Sequence, residues 1–380
     1  MTTPTTDATR YYIGLMSGTS LDGIDAALVA LEPTSAPRLI ATHAEPITDS
    51  LQQTLLTLCH AHQVSFADLA FAEDAFCRQQ AQAVKKLLAQ QGISATQINA
   101  IGSHGQTIEH APSGHAGGPA YTLQLDNPSL LAELTGCTVV ADFRRRDLAA
   151  GGQAAPLAPA FHQVIFKQEN TQQLVLNLGG IANLTWLPKD TTHPIIGFDT
   201  GPANVLLDAW HAKHQGGRYD NGGAWAASGQ VDQPLLERLL REPFFHQPPP
   251  RSTGRELFHL PWLESHLNGD EQPCDVQATL AELTAISIAQ GSAQLPLADQ
   301  PVTLIPCGGG AHNPYVMKRI ADHLPHATLA SPSHFGWPED WIEAGAFAWL
   351  AHQRLHQLPG NVASVTGAKG PRVLGGVYAP

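Results

Sequence analysis

Tyr12-Ile13-Gly14-Leu15-Met16-Ser17-Gly18-Thr19-Ser20-Leu21-Asp22-Gly23-Ile24-Asp25-Ala26-Ala27-Leu28-Val29 is the stretch on which the reading of the chain turns. One apolar run stops at Ser17-Gly18-Thr19-Ser20 and a second starts at Ile24, which predicts strand, tight turn, strand. Gly18 and Gly23 open backbone conformations closed to other residues, and hydroxyls with exposed amides face whatever sits in the turn, as a phosphate chain requires. Asp22 and Asp25 would repel bare phosphate, so a phosphate here implies Mg²⁺ between it and a carboxylate. Taken alone, the same residues also read as an ordinary Gly/Ser hairpin.

Composition narrows the alternatives. The chain has 380 residues, 43% apolar and 14% charged, enough for two domains with cores of their own. Met1 to Arg10 read as a frayed start and not a signal peptide, and no uncharged apolar stretch approaches the roughly 18 residues of a membrane span. A net charge of −12 argues against non-specific nucleic-acid binding, and Arg144-Arg145-Arg146, the only basic run, reads as a solvated turn or as a contact for an anionic substrate. Five cysteines without a C-x-x-C fit a reducing, cytoplasmic compartment. The Walker-type G-x-x-x-x-G-K-[ST], G-x-G-x-x-G, G-x-S-x-G and H-E-x-x-H patterns are all absent. His60 and His62 form an H-x-H pair that a helix would point to different faces, so metal ligation there is not expected.

Outward from the first hairpin, Arg38 to Ala44 reads as a third strand, with helices over Leu51 to His60 and Phe66 to Gln90 and a stop at Gly92. Ile98 to Gly102 predicts a short strand emptying into Ser103-His104-Gly105-Gln106-Thr107, polar residues where open α/β sheets place ligands. Tyr121 to Leu125 is a strand, Asn127-Pro128 opens a helix closed by Gly136, and Thr138 to Ala141 is a strand. Gly151-Gly152, followed by Pro156 and Pro159, marks an interior boundary or a long loop. Leu174 to Leu187 then repeats the first design, an apolar run, Gly179-Gly180 with small polar groups including Asn183, and a second apolar run. Two such units suggest a duplicated α/β fold with a cleft between the halves.

Ile195 to Phe198 predicts a strand delivering Asp199 at its end, before Gly201-Pro202-Ala203-Asn204 and a helix from Val205. A carboxylate placed so reads as a general base or as a helix N-cap. Val302 to Pro306 runs into Gly308-Gly309-Gly310 ahead of a helix from Pro314, where glycines let a flat ligand approach the backbone. Glu343, in the first turn of a last helix from Trp341, suits the helix dipole, and the Gly-rich tail from Asn361 is expected to pack back on the first domain.

Two phosphate-suited hairpins, a strand-end aspartate and a late Gly-Gly-Gly together resemble the actin, hexokinase and Hsp70 type of ATP-binding fold. More narrowly, Leu15 to Gly23, Ile101 to Thr107, Asp142-Phe143-Arg144 with Gly151-Gly152-Gln153, Asn177 to Asn183 and Gly197 to Pro202 resemble the anhydro-N-acetylmuramic acid kinase family. So do Trp225-Ala226-Ala227-Ser228-Gly229, Ser252-Thr253-Gly254-Arg255-Glu256 and Glu343 to Ala348, and the likeness runs from about Tyr12 to the C-terminus.

The resemblance implies two duplicated actin/hexokinase-like (ribonuclease H-like) α/β domains around a cleft, one of residues 1–147 with 360–380 and one of 148–359. It implies an enzyme that opens the 1,6-anhydro bond of anhydro-N-acetylmuramic acid with water and phosphorylates O6 from ATP, in cell-wall recycling. Gly18, Thr19, Ser20, Leu21, Asp22, Gly23, Ile24 and Asp25 would form the ATP phosphate loop, joined by Gly179, Gly180, Asn183, Gly308, Gly309 and Gly310. Asp22 would meet Mg²⁺, directly or through water. Asp199 would activate the water, and Glu343, His104, Gln106 and Asn204 would contact the sugar. A homodimer whose domains close on their ligands is also implied. Ala154 and Ala203 stand where the family form has glycine, changes that stiffen loops without removing chemistry. Rival readings are a kinase of another sugar and a non-sugar ATPase switch of the same fold.

Overall fold

The structure, a computed structural model, describes residues 10–18, 21–32, 35–61, 63–115, 117–169, 171–190, 192–254, 257–297 and 300–380. Thr19, Ser20, His62, Arg255 and Glu256 lie outside the described residues, as do residues 1–9 of the expected frayed start. The chain divides into two compact units, Met1–Ile165 with Trp341–Pro380, and Phe166–Asp340.

In the first unit, β1 (Arg10–Ser17), β2 (Gly23–Leu31) and β3 (Arg38–Pro46) form an antiparallel meander, and β4 (Ile98–Ala111) joins parallel to β1. β5 (Tyr121–Leu125) pairs antiparallel with the far half of β4, and β6 (Val139–Ala141) lies parallel to its near half. The expected short strand ending at Gly102 is therefore too short. Ser103 to Thr107 belong to β4, because β5 supplies ladder partners from Gln106 onward after β1 has run out at Ser17. Gly105, at φ +72°, makes the bend between the two partners.

In the second unit, β7 (Gln172–Leu178), β8 (Ile181–Leu187) and β9 (Ile196–Pro202) are antiparallel, and β10 (Val302–Cys307) and β11 (Ala327–Leu329) extend the sheet in parallel from β7. The tail returns to the first sheet, where β12 (Gly376–Tyr378) pairs antiparallel with β6, as expected. Each unit thus places a meander beside two parallel strands, in the order 3-2-1-4-6 in the first, where β5 pairs with β4 off this path, and, numbered from its own start, 3-2-1-4-5 in the second. Each has its own core, around Leu28, Leu55, Phe76 and Ile101 in one and Leu176, Phe198, Phe258 and Ile288 in the other.

Local chemistry explains the helix limits. Asn127 caps the helix Pro128–Thr135 by accepting from the Leu130 amide at 2.9 Å, and Gly136 ends it in the left-handed region. Ser65 caps the helix Phe66–Gln91, and Gly92 ends it in the same way. The helix Ile342–Leu355 is packed more tightly than side chains allow. Gly14 and Gly102 are direct partners on β1 and β4, and a Cβ on either would fall 1.7 Å from the Ala344 carbonyl oxygen or 2.0 Å from that of Phe347. The two glycines open a window through which the helix backbone reaches the sheet.

Gly102→Ala should therefore destabilise the chain by roughly 3 kcal/mol or more, at or beyond the upper end for overpacking, since backbone must move. Denaturant unfolding of the variant checks this, and a midpoint equal to the parent's would contradict it.

Candidate functional site

The first unit brings its predicted residues to the end of β1 and the bend of β4. The turn between β1 and β2 is tied down from several sides: Ser17 Oγ donates to the Gly23 carbonyl at 3.1 Å, Gln52 Nε2 to the Leu21 carbonyl at 2.8 Å, and the Ile47 amide to the Asp22 carbonyl at 3.1 Å. Asp22 is exposed at this turn, Asp25 is half-buried on β2 opposite Met16, and Ile24 is buried. Leu21 adopts φ +56°, and of the four non-glycine residues at positive φ, Leu21, Asp142 and Ala154 all fall in or beside the motifs singled out above. Strain at such positions persists only where surrounding contacts over-determine the backbone.

His104 and Arg144 form the centre of this half. Arg144 Nε and Nη2 approach His104 Nε2 at 3.1 and 2.9 Å, so that ring nitrogen accepts and the imidazole is neutral. Burial, then the charge of Arg144, holds the His104 pKa well below the usual histidine range. Phe347 packs its ring 4.8 Å from that of His104. Arg144 Nη1 donates to the Ala154 carbonyl at 2.7 Å, so the first arginine of the basic run is not a solvated turn residue, whereas Arg145 and Arg146 are exposed. Burial lowers the Arg144 pKa to about 10, against the attraction of Glu343 and then Asp147. Glu343 stands solvent-accessible in the first turn of the helix Ile342–Leu355.

Behind Arg144, the buried Asp147 accepts from the Ala154 amide at 2.8 Å, Asn361 Nδ2 at 2.6 Å and Thr366 Oγ1 at 2.8 Å. A Cβ on Gly152 would fall 2.2 Å from Asp147 Oδ2, so only glycine fits there. Ala154, at φ +60°, occupies a conformation that favours glycine. Gln106 Oε1 is buried without a hydrogen-bond partner among the described residues.

The second unit assembles a separate cluster. Gly180 accepts at its carbonyl from the Ala203 and Val205 amides at 2.9 and 3.0 Å, and Gly179 from the Asn204 amide at 3.1 Å, which pins the helix Asn204–Gln215 to the hairpin turn. Asn204 Nδ2 donates to the Leu178 carbonyl at 3.1 Å. Gly308, Gly309 and Gly310 close the group: a Cβ on Gly308 would meet Asn177 Oδ1 at 2.5 Å, and one on Gly310 would meet Leu178 Cβ at 2.8 Å and Asn204 Oδ1 at 3.0 Å. Asn204 thus stands with the glycine turn.

Asp199 lies inside β9, which runs on to Pro202, so the expected strand end before it is corrected. Across the sheet Asn177 pairs with Asn183, and Asn183 with Asp199, a polar row running from the glycine loop to the carboxylate. The register slips between Ala182 and Asn183 because Thr200 is an extra residue, a bulge of the kind that re-aims a neighbouring side chain. Asp199 Oδ2 accepts from Ser252 Oγ and the Thr253 amide, both at 2.9 Å. Arg251, nearly buried, donates through Nε to the Asp199 carbonyl at 2.9 Å and accepts the Asp199 amide at its own carbonyl at 3.1 Å. Its guanidinium rests over the Phe198 and Phe244 rings. Burial lowers the Arg251 pKa, against the attraction of Asp199.

Arg251, Ser252, Thr253 and Asn177 were not singled out as site residues from sequence. The motif containing Ser252 and Thr253 was visible, but a contact across some fifty positions was not.

Two units with the same meander and two parallel strands, each with a small-residue turn after its first strand, make this a duplicated α/β protein. The family model described as anhydro-N-acetylmuramic acid kinase matches residues 10–380. A protein of that name from Chromohalobacter salexigens is 61% identical over 97% of this chain and 99% of its own length. Those from Pseudomonas syringae pv. syringae and Coxiella burnetii are 51% and 47% identical over 97% of this chain and 99% and 97% of their own lengths. The chain belongs to the anhydro-N-acetylmuramic acid kinase family.

One titration within the first unit can be tested. Asp126 lies against Gly105, whose Cβ would come 3.0 Å from that of Asp126, and burial pushes its pKa up to about 7. The folded chain holds this proton where the unfolded chain, with an ordinary carboxyl, has released it. Stability is therefore full below about pH 4 and falls as pH rises towards 7. Asp126→Asn should flatten this dependence, gaining on the order of a few kcal/mol at pH 8 relative to pH 4. Thermal melts across that range check it, and an unchanged slope would contradict it.

Proposed function

We propose that the chain catalyses ATP-dependent hydrolytic opening of 1,6-anhydro-N-acetylmuramic acid and phosphorylates O6, giving N-acetylmuramic acid 6-phosphate and ADP in the recycling of cell-wall fragments. Family membership supports the substrate, and the observation that carries the mechanism is the held Asp199 carboxylate. With Oδ2 fixed by Ser252 and Thr253 and the backbone clamped on both sides by Arg251, the carboxylate is oriented as a general base requires. Asp199 takes a proton from water as that water attacks C1. The bond from C1 to O6 breaks, and O6 takes the γ-phosphoryl group.

The Gly308–Gly310 loop, where Gly308 and Gly310 leave no room for a Cβ, and the Gly179–Gly180 turn would receive the nucleotide, and the turn from Gly18 to Asp25 is the other loop suited to phosphate. Asp22, an exposed carboxylate at that turn, fits Mg²⁺, which keeps several waters and takes one or two carboxylates plus substrate phosphates. Bound Mg²⁺ would neutralise charge on the phosphates. Arg144, His104, Gln106 and Glu343 offer the sugar a cation, a neutral ring, an unpaired acceptor and a carboxylate. No helix of the described residues is long and apolar enough to cross a membrane, and a cytoplasmic homodimer is the setting we infer.

Asp199→Asn should keep nucleotide affinity within a few-fold and lose roughly 10²–10⁴-fold or more in sugar-dependent turnover. Ser252→Ala should show a smaller loss, with kcat falling and KM nearly unchanged, because the hydroxyl orients the base without holding substrate. Nucleotide titration and steady-state kinetics read both, and near-parent turnover in Asp199→Asn would sink the assignment.

A further inference from the structure

Arg144 has two hydrogen-bond partners among the described residues, His104 and the Ala154 carbonyl, which together engage three of its five N–H donors and leave the others for a ligand. The Ala154 carbonyl is delivered from a left-handed backbone that an alanine keeps only where its neighbours fix it. The Ala154 amide is fixed by Oδ2 of Asp147, and Oδ1 of the same buried carboxylate takes the side chains of Asn361 and Thr366, which stand 214 and 219 positions along the chain from Asp147. Both belong to the tail that follows the helix Ile342–Leu355. Backbone ties this tail to the same loop: the Gln153 amide donates to the Thr366 carbonyl at 2.7 Å, and the Lys369 amide to the Ala150 carbonyl at 3.0 Å. Asn361 is held in its turn by accepting from the Arg372 amide at 2.7 Å. An unbroken line of contacts thus runs from the tail to the guanidinium.

We propose that Asn361 and Thr366 are positioning residues for sugar binding, acting through Asp147 and the Ala154 carbonyl to set the angle at which Arg144 meets the sugar. The proposal rests on Arg144 as the cation offered to the sugar in the reading given above, and it adds two residues of the tail to that site. Asp147 has no cation among its hydrogen-bond partners, so each neutral donor counts. Without the Thr366 hydroxyl, Oδ1 keeps a single donor in the interior, and the carboxylate can regain a second only by turning. Turning draws Oδ2 off the Ala154 amide, Ala154 leaves its left-handed backbone, and the carbonyl on Arg144 Nη1 swings away. Oδ2 is also packed against Gly152, where a Cβ would fall 2.2 Å from it, so the loop feels even a small rotation. Arg144 is then left with His104 as its partner and loses its fixed direction.

Steady-state kinetics and ¹⁵N spectra of the His104 ring, assigned through His104→Gln, test this on the full chain. Thr366→Val keeps the shape and removes the hydroxyl. It should raise the sugar KM roughly 10-fold, with kcat and the nucleotide KM within about two-fold of the parent, and move the His104 Nε2 signal towards that of an imidazole nitrogen without a donor. Asn361→Ala, which removes the other donor from the tail, should act in the same direction, and Thr366→Ser, which keeps a hydroxyl, should match the parent in both readouts. A Thr366→Val chain with the parental sugar KM and an unmoved His104 signal overturns the proposal. So does an equal loss in Thr366→Val and Thr366→Ser, or a fall in kcat and nucleotide affinity alongside a lower melt, which would mark a merely structural role. A parent that turns over no anhydro sugar overturns the proposed reaction instead, and the His104 signal, moved by Thr366→Val and not by Thr366→Ser, then decides the relay by itself.

Discussion

The contact between the helix Ile342–Leu355 and the bare backbone of β1 and β4 is the constraint on which the first unit depends. Helices ordinarily stand off a sheet by the thickness of two side-chain layers, and here Gly14 and Gly102 remove one of them. Phe347 is thereby brought under the His104 ring, and Glu343 enters the field of Arg144. Arg144 is aimed from behind by a further relay, in which buried Asp147 fixes the Ala154 amide and Ala154 presents its carbonyl to the guanidinium. The polar groups are therefore placed by backbone and by buried charge, the two kinds of support that relax least.

The second unit reaches a comparable result with different means. Its hairpin turn and helix start are joined through backbone hydrogen bonds, and the glycine loop packs against Asn177, Leu178 and Asn204. From there the row Asn177, Asn183 and Asp199 crosses the sheet, and the bulge at Thr200 together with Arg251, Ser252 and Thr253 sets the carboxylate. A general base has to be correctly aimed before substrate arrives, and the hydrogen bonds to Oδ2 aim this one. The catalytic aspartate of the proposed reaction is thus part of a network whose other members come from a loop about fifty residues away.

Much of this was legible in the sequence because it is local. The alternation of apolar runs and small-residue turns predicted both hairpins, the Asn127-Pro128 cap and Gly136 stop predicted a helix to the residue, and the glycine-rich tail was expected to pack back where β12 now pairs with β6. Errors arose where a partner strand decided the outcome. Ser103 to Thr107 look like a loop because they are polar, yet β5 gives them a ladder, and Asp199 looks like a strand terminus because Gly201-Pro202 follow, yet β8 carries the pairing through. Arg144 could not be told from its two exposed neighbours, since only the fold delivers His104 and the Ala154 carbonyl to it. The alanine at position 154 was visible as a departure from glycine, but its cost, a left-handed backbone held by Asp147, needed coordinates.

The central claim is that one turnover adds water to C1 and phosphate to O6 of the same sugar. The most direct measurement is ATP turnover with anhydro-N-acetylmuramic acid in ¹⁸O-labelled water, following sugar and ADP by mass. The account predicts ADP release that requires the sugar, with a single label in a phosphorylated muramic acid product. Phosphorylated sugar without label would make the chain a plain kinase, and ADP release indifferent to sugar would make it an ATPase switch; either would contradict the coupling.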